Sequence, residues 1–214
     1  MGRKLRSTKQ ALARARALAA LVRHAHGEPQ DPKGLDLSPQ EMELLARTAD
    51  AWSDQEVFDA TWRGEALGTL LWALDLVPEL PPYDRPFDHV GLARTLKLNG
   101  AELRPRDEIE PARETARLWH WRARTALVQR NGAAHLTPRW ISFDQLVAAT
   151  AMKGHERGLL PTPLRGDFPA FGKGYRHLSD EQRSLVYSIA AERHYALEWL
   201  CRPARDWDEV DTET

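Results

Sequence analysis

Apolar residues recur at every third or fourth position along most of this chain, a spacing that predicts amphipathic α-helices. The ranges predicted to be helical are about 9–24, 38–50, 54–77, 88–98, 107–131, 143–156 and 180–201. We find no internal repeat and no convincing β-hairpin pattern between them. The sequence therefore predicts an all-α, single-domain, irregular helical bundle of about six to seven helices, with a long loop before the last helix.

Capping residues define several helix starts. Ser38 precedes Pro39 and stands three residues before Glu41, which together form a capping box with proline at the first helical position. Ser179 and Gln182 have the same spacing ahead of the last helix. The single domain over 1–214 is predicted to have three irregular parts: a flexible N-terminus at 1–8, a long loop at 158–178 and an acidic tail at 204–214.

The segment 54–77 is apolar on most sides, so we expect it to be the central helix. Thr61, Gly64 and Gly68 form a strip of small residues along it. The 107–131 helix has a largely alanine stripe, formed by Ile109, Ala112, Ala116, His120, Ala123 and Leu127. Since small residues let two backbones approach closely, we predict that these two surfaces pack together.

Several charged residues fall on apolar stripes, where a buried charge is costly unless it is paired. Arg63 and Arg193 both project among leucines, whereas His194 projects to what we take as the wetter side of its helix. We predict a buried polar cluster whose candidate members are Arg63, Glu65, His120, Arg122, Glu192, Arg193, Asp208 and Asp211. These groups need one another, the acidic tail or a ligand.

Three interpretations of this cluster remain open. It could be a closed network that fixes helix register, a pocket whose titratable groups do acid–base work, or a set of arginines that reach solvent along their stems. The tail adds Asp206, Asp208 and Asp211, which could hold a hard cation but are more simply an exposed acidic segment. Trp207 lies among them, and an aromatic ring there predicts that the tail docks on the core.

Composition excludes some classes of protein. Of the 214 residues 42% are hydrophobic and 29% charged, as in ordinary globular proteins. The single cysteine, Cys201, rules out an internal disulfide and a cysteine-based zinc cluster. We see no signal peptide and no apolar run long enough for a membrane span, so we expect a cytoplasmic protein. Net charge is −1, but residues 1–26 hold many bases and no acid, which is typical of a solvated face or of nucleic-acid binding.

Motifs with a defined chemistry are lacking. Gly172-Lys173-Gly174 looks like a fragment of a phosphate loop, but it lacks the spacing and the preceding strand. We therefore predict no metal and no cofactor, and favour a non-catalytic binding or accessory protein. The alternatives are a hydrolase-type enzyme using His120, Glu65 or Glu192 as general acid or base, and nucleic-acid binding through the basic N-terminal helix. The sequence does not identify a binding partner. It is compatible with a protein partner, and it disfavours binding to membranes and to nucleic acid.

Four segments resemble one family. They are Trp62 to Leu74, Leu118-Trp119-His120-Trp121-Arg122, Glu192 to Leu200, and Trp207 to Thr212. Together they resemble the domain of unknown function 4272 family, with a likeness extending from about residue 8 to the end. The resemblance implies a bacterial-type, cytoplasmic, helical protein. It implies no activity.

Overall fold

The structure is a computed structural model that describes residues 5–130, 142–203 and 206–214. The all-α prediction is confirmed, because the described residues form seven α-helices and a single pair of two-residue strands. The helices are α1 (Thr8–Ala25), α2 (Pro39–Leu45), α3 (Asp54–Ala73), α4 (His89–Arg94), α5 (Arg106–Arg130), α6 (Phe143–Glu156) and α7 (Asp180–Cys201). The strands are β1 (Pro169–Ala170) and β2 (Lys173–Gly174), and short 3-10 helices span Ala49–Ala51, Tyr175–His177 and Trp207–Glu209.

Serine capping boxes start most of these helices. The serine side chain accepts the backbone N–H three residues on, and a Glu or Gln there returns the bond. The capping serines are Ser7, Ser38, Ser53, Ser142 and Ser179. Two predicted boundaries change. The second helix ends at Leu45 instead of about residue 50, and α3 ends at Ala73 because Asp75 adopts a φ of 55°, which the helix cannot continue.

The helix α3 lies at the centre of the bundle, as predicted, in contact with α1, α4 and α7. The fifth helix packs along α7 on the other side, and α6 lies against α5. One core cluster joins α1, α3, α5 and α7 around leucine and alanine side chains, among them Leu18, Leu67, Leu70 and Leu197, none of which is exposed. This core fixes the faces on which the charged residues of α3 and α7 meet.

The prediction that the small-residue strip of α3 packs against the alanine stripe of α5 is wrong. Gly64 lies directly under the ring of His89, and Gly68 under the ring of Phe87, so that a Cβ at either glycine would overlap those atoms. The strip therefore accepts two flat side chains from the segment 81–89 rather than the alanine stripe of α5. That stripe faces α7 instead, where Ala116 and Ala123 are buried.

The segment 158–178, predicted as a long loop without strands, contains two tight turns. Leu164 and Asp167 form a bridge around Arg165-Gly166, and β1 and β2 pair around Phe171-Gly172. All four central residues have positive φ, between 52° and 73°, which is the geometry of a type I′ hairpin turn. Each turn has glycine at its second central position, Gly166 and Gly172, preceded by Arg and Phe rather than by the Asn or Asp that is preferred there. The expectation of no hairpin is therefore wrong.

The first and the last parts of the described chain both contact α7. In the segment 1–8, which the sequence predicted to be a flexible N-terminus, Arg6 donates from its backbone N–H to the Leu200 carbonyl at 3.0 Å and is itself buried, and residues 1–4 lie outside the described residues. Trp207 of the tail is buried against Tyr195 and Trp199, with ring centroids 4.9 and 5.4 Å away. The prediction that the tail docks on the core is confirmed for this residue.

Every helix of the described chain falls short of the combined length and apolarity that crossing a membrane requires.

Replacing Gly68 by alanine should lower the free energy of unfolding by about 1–3 kcal/mol, because the added Cβ must displace the Phe87 ring. This loss opposes a gain of up to about 1 kcal/mol from better helix propensity. Urea denaturation measures the net effect. In a Phe87→Ala background the same substitution should cost little, and a Gly68→Ala protein as stable as the parent would contradict the packing described here.

Candidate functional site

The most deeply buried ion pair joins the two central helices. Glu65 of α3 and Arg193 of α7 are both fully buried, and the Arg193 Nε donates to the Glu65 Oε2 at 2.8 Å. The outer nitrogens of Arg193 donate to the backbone carbonyls of Pro81 and Arg85. The guanidinium therefore binds α3 and the proline-rich segment 81–89 at the same time.

The other carboxylate oxygen of Glu65 also accepts hydrogen bonds. Its Oε1 accepts the Phe87 backbone N–H at 2.6 Å and a hydrogen bond from the His89 Nε2 at 2.8 Å. Burial by itself would raise the pKa of Glu65, but the His89 hydrogen bond and the Arg193 charge outweigh it and hold that pKa below its usual value. Glu65 is a charged carboxylate with all of its partners inside the protein.

A second, more open pair lies beside the first. Arg63 donates to both carboxylate oxygens of Glu192, at 3.1 and 3.2 Å. The Arg63 side chain is 31% exposed and Glu192 is 17% exposed. Burial raises the pKa of Glu192; Arg63 opposes that shift, whereas the nearby negative charges of Asp59 and Glu65 add to it. The open side of this pair faces solvent.

Arg122 has a partner that the sequence did not suggest. It is almost fully buried and binds Asp167 through two bonds, from Nε at 2.7 Å and from Nη2 at 2.9 Å. Asp167 also accepts the backbone N–H groups of Phe168 and Arg176. Burial opposes ionisation, but these bonds hold the pKa of Asp167 below its usual value. Its position directly after the Arg165-Gly166 turn was the available signal.

His120 forms a buried pair with His194. Their Nδ1 atoms are 3.1 Å apart, which requires one ring to donate and the other to accept. Burial, reinforced by nearby cations, lowers the pKa of His120 to about 4 and that of His194 to about 3. Both rings are therefore neutral at pH 7. The placement of His194 on a wet face is wrong, because α5 covers that side of α7.

The eight candidate residues do not form a single cluster. Glu65 with Arg193, and Arg63 with Glu192, lie between α3 and α7, whereas His120 and Arg122 have separate partners. Asp208 and Asp211 are exposed, so neither belongs to a buried network. Burial of Trp207 brings the tail to the core, but Asp208 in the short 3-10 helix and Asp211 after it stay exposed. Within the described ranges no three His, Cys, Asp or Glu residues are grouped to hold a metal ion.

A cleft of about 460 Å³ opens beside Arg63. It is lined by Leu21, Ser38, Gln40, Glu41, Glu43, Leu44, Arg47, Glu56, Asp59, Ala60, Arg63 and Asp208. Five of these are carboxylates and two are guanidinium groups. We call it the acidic cleft.

Ion pairs inside the protein neutralise only some of the carboxylates of the acidic cleft. Glu41 pairs with the buried Arg14, and Glu56 with Arg47. Glu43, Asp59 and Asp208 are exposed and have no ion pair with any residue that the structure describes. The cleft therefore keeps an excess of negative charge next to a buried core.

The fold and these contacts define a class: an all-α protein in which buried arginine–carboxylate pairs tie helices and connections together. The chain belongs to the domain of unknown function family DUF4272, whose model matches residues 2–142. That range holds α1 to α5, with Arg63, Glu65 and Arg122; their partners Glu192, Arg193 and Asp167 lie beyond it. No curated protein and no solved structure matches the chain.

Replacing Arg193 by glutamine should destabilise the protein by about 3–5 kcal/mol, because it leaves the Glu65 carboxylate buried without its cation. The same change at Arg117, a partly exposed α5 residue paired with Glu114, should cost less than about 1 kcal/mol. Chemical denaturation of both variants measures the difference. Equal losses would show that Glu65 and Arg193 do not form a sealed pair.

Stability should fall as pH decreases from about 6.5 towards 5, before the carboxylates titrate. The folded pKa values of His120 and His194 lie below the ordinary histidine value of about 6.5, so the unfolded chain binds more protons in this window. Each histidine contributes a loss of up to about 1.4 kcal/mol per pH unit. Urea denaturation at several pH values measures this slope. A His194→Phe variant should have a shallower slope, and an unchanged slope would contradict the assignment.

Proposed function

We propose that this protein is a non-catalytic binding or accessory protein that receives a positively charged protein segment in the acidic cleft. One observation carries the proposal: Glu43, Asp59 and Asp208 face this cleft without a cation from the described chain to neutralise them. Opposite charges across an interface favour encounter and fix the register of the partner.

The geometry of the cleft supports a docking role. Its volume is within the range of about 300–1,000 Å³ that is usual for ligand sites. Leu21 and Ala60 supply apolar lining that we call its floor, and Arg63, which is paired with Glu192, also lines the cleft. A lysine or arginine of a partner could bury its aliphatic stem on that floor and place its charge among the carboxylates.

The burial of the candidate bases favours binding over acid–base catalysis. Glu65 is fully buried and His120 is 4% exposed, so neither presents an atom to a substrate in solution. Glu192 is partly exposed, but both of its oxygens accept bonds from Arg63. These groups are engaged in holding helices, which is the use expected of a structural network. A hydrolase-type enzyme remains the alternative, and a cytoplasmic location and bacterial origin remain predictions from the sequence.

Nucleic-acid binding through the basic N-terminal helix has less support. Arg6 and Arg14 turn inward, where their guanidinium groups lie over the rings of Trp199 and Trp207. Arg23 pairs with Glu28. Of the bases on α1, Lys9 and Arg16 are left on the exposed face, too few for a strong phosphate-binding surface.

Fluorescence anisotropy of a short labelled lysine peptide, titrated with the whole protein, tests the proposal. Binding should weaken by about tenfold or more in a triple variant that replaces Glu43 and Asp59 and Asp208 by their amides, because each lost ion pair costs up to about 1 kcal/mol. A neutral serine–glycine peptide of equal length should not bind.

The matched control replaces three exposed carboxylates elsewhere, Glu79, Glu102 and Glu156, which have no ion pair with a described residue, by glutamine. This variant has the same net charge as the cleft variant and should bind as the parent does. Equal weakening in both variants would mean that only net charge matters, and would refute the cleft. Turnover of an ester or amide substrate that His120→Ala abolishes without lowering the melting temperature would favour the hydrolase.

A further inference from the structure

A cavity of about 410 Å³ opens between the two tight turns of the segment 158–178, and none of its lining residues belongs to the acidic cleft. Three of its six lining residues, Arg165, Lys173 and His177, are basic, and none is acidic. All three are exposed, and none of their side chains has an ion pair or hydrogen bond with a residue that the structure describes. The other lining residues are Leu164, Gly172 and Gly174. We call this cavity the basic pocket.

The side chains of the basic pocket have no carboxylate partner among the described residues, whereas three other arginines near the segment 158–178 do. Neighbouring arginines find a carboxylate: Arg122 and Arg176 bind Asp167, and Arg183 binds Asp180. Bringing three basic groups together without an acid costs Coulomb energy unless solvent or an anion compensates it. The basic pocket is thus a concave surface whose electrostatic complement is missing from the described chain.

The backbone holds these groups at fixed positions. Arg165 is the first central residue of a turn closed by two bonds between Leu164 and Asp167, at 3.0 and 3.1 Å. Lys173 follows the second turn directly, as the first residue of β2, and His177 ends the 3-10 helix after it. The buried Asp167 carboxylate binds the backbone of both parts through Phe168 and Arg176. A site on such a pre-organised support loses little entropy on binding.

The second turn adds a backbone donor. Phe171 and Gly172 both have positive φ, at 52° and 68°, and the Phe171 N–H is taken by Asp84 at 2.6 Å. The Gly172 N–H has no acceptor within the described part of the chain. Turn backbones of this kind leave N–H groups that bind anions. This arrangement differs from a phosphate loop, because only a three-residue 3-10 helix, and no α-helix, follows Gly174, and the basic groups come from a turn, the strand β2 and that 3-10 helix.

We propose that the basic pocket binds a phosphate group, carried either by a small soluble compound or by a lipid headgroup. A guanidinium fork, an ammonium, an imidazole and a free backbone N–H are together the donors that recognise phosphate oxygens. The volume exceeds what a single phosphate fills, so there is room for the rest of a small phosphorylated molecule.

Two arms of one experiment identify the source of the phosphate. In the first, NMR shifts of the whole protein are followed during titration with inorganic phosphate and with glycerol phosphate. In the second, the protein is sedimented with vesicles of phosphatidylcholine containing phosphatidic acid. Saturable binding in either arm is expected. The arm in which it occurs tells whether the phosphate is soluble or lipid-borne.

Variants separate this pocket from general charge. Arg165→Asn removes the charge but creates Asn-Gly, the preferred pair for this turn, so the fold should keep or gain stability. Lys173→Gln removes the second charge. Each should weaken binding by about tenfold, the loss expected of one charge-assisted hydrogen bond. Lys153→Gln, which removes an exposed charge on α6 outside the pocket, is the matched control and should bind normally.

Three results would overturn the proposal. The first is no saturable binding in either arm by the parent protein. The second is equal weakening by Lys153→Gln and the pocket variants, which would reflect net charge alone. The third is parent-like binding by both Arg165→Asn and Lys173→Gln. Because no residue is shared with the acidic cleft, failure here leaves the proposed binding of a positively charged segment untouched.

Discussion

Burial of the Arg193 guanidinium is the constraint on which the arrangement of the helices depends. A cation in a fully dehydrated position must have its donors satisfied and its charge balanced, or the fold loses several kcal/mol. Here Glu65 supplies the charge, and the carbonyls of Pro81 and Arg85 supply the remaining acceptors. The requirement therefore joins α3, α7 and the proline-rich segment 81–89.

Other parts of the molecule repeat this arrangement. Asp167 does for the turns after α6 what Glu65 does for the segment before α4: a buried carboxylate accepts an arginine from a helix and backbone N–H groups from an irregular segment. Arg14 and Glu41 similarly join α1 to the start of α2. Burying irregular backbone costs free energy unless its polar groups find hydrogen-bond partners. A single carboxylate can accept several backbone N–H groups at once.

Charges used in this way are separated from those left at the surface. The deeply buried pairs, Glu65 with Arg193 and Asp167 with Arg122, lie inside the fold, whereas the acidic cleft holds exposed carboxylates and the basic pocket holds exposed bases that have no ion pair with a described residue. A net charge near zero thus conceals two surfaces of opposite sign. An ion pair lies beside each surface: the partly exposed pair of Arg63 with Glu192 at the acidic cleft, and the buried pair of Arg122 with Asp167 at the basic pocket.

The sequence by itself determined the helices, because apolar periodicity and serine capping boxes are local, and it determined that Arg63, Glu65 and Arg193 needed partners, because burying charge is costly wherever it occurs. It could not decide which partner each would find. His194 was misplaced because a helical projection does not show that α5 covers that side of α7. Gly64 packs against His89 and Gly68 against Phe87, because a connecting segment can cover a surface of small residues as well as a helix can. Asp167 was missed because its role comes from two turns that only tertiary packing brings beneath Arg122. Which distant residues pair depends on the sum of many contacts across the fold, and those contacts exist only in the tertiary structure.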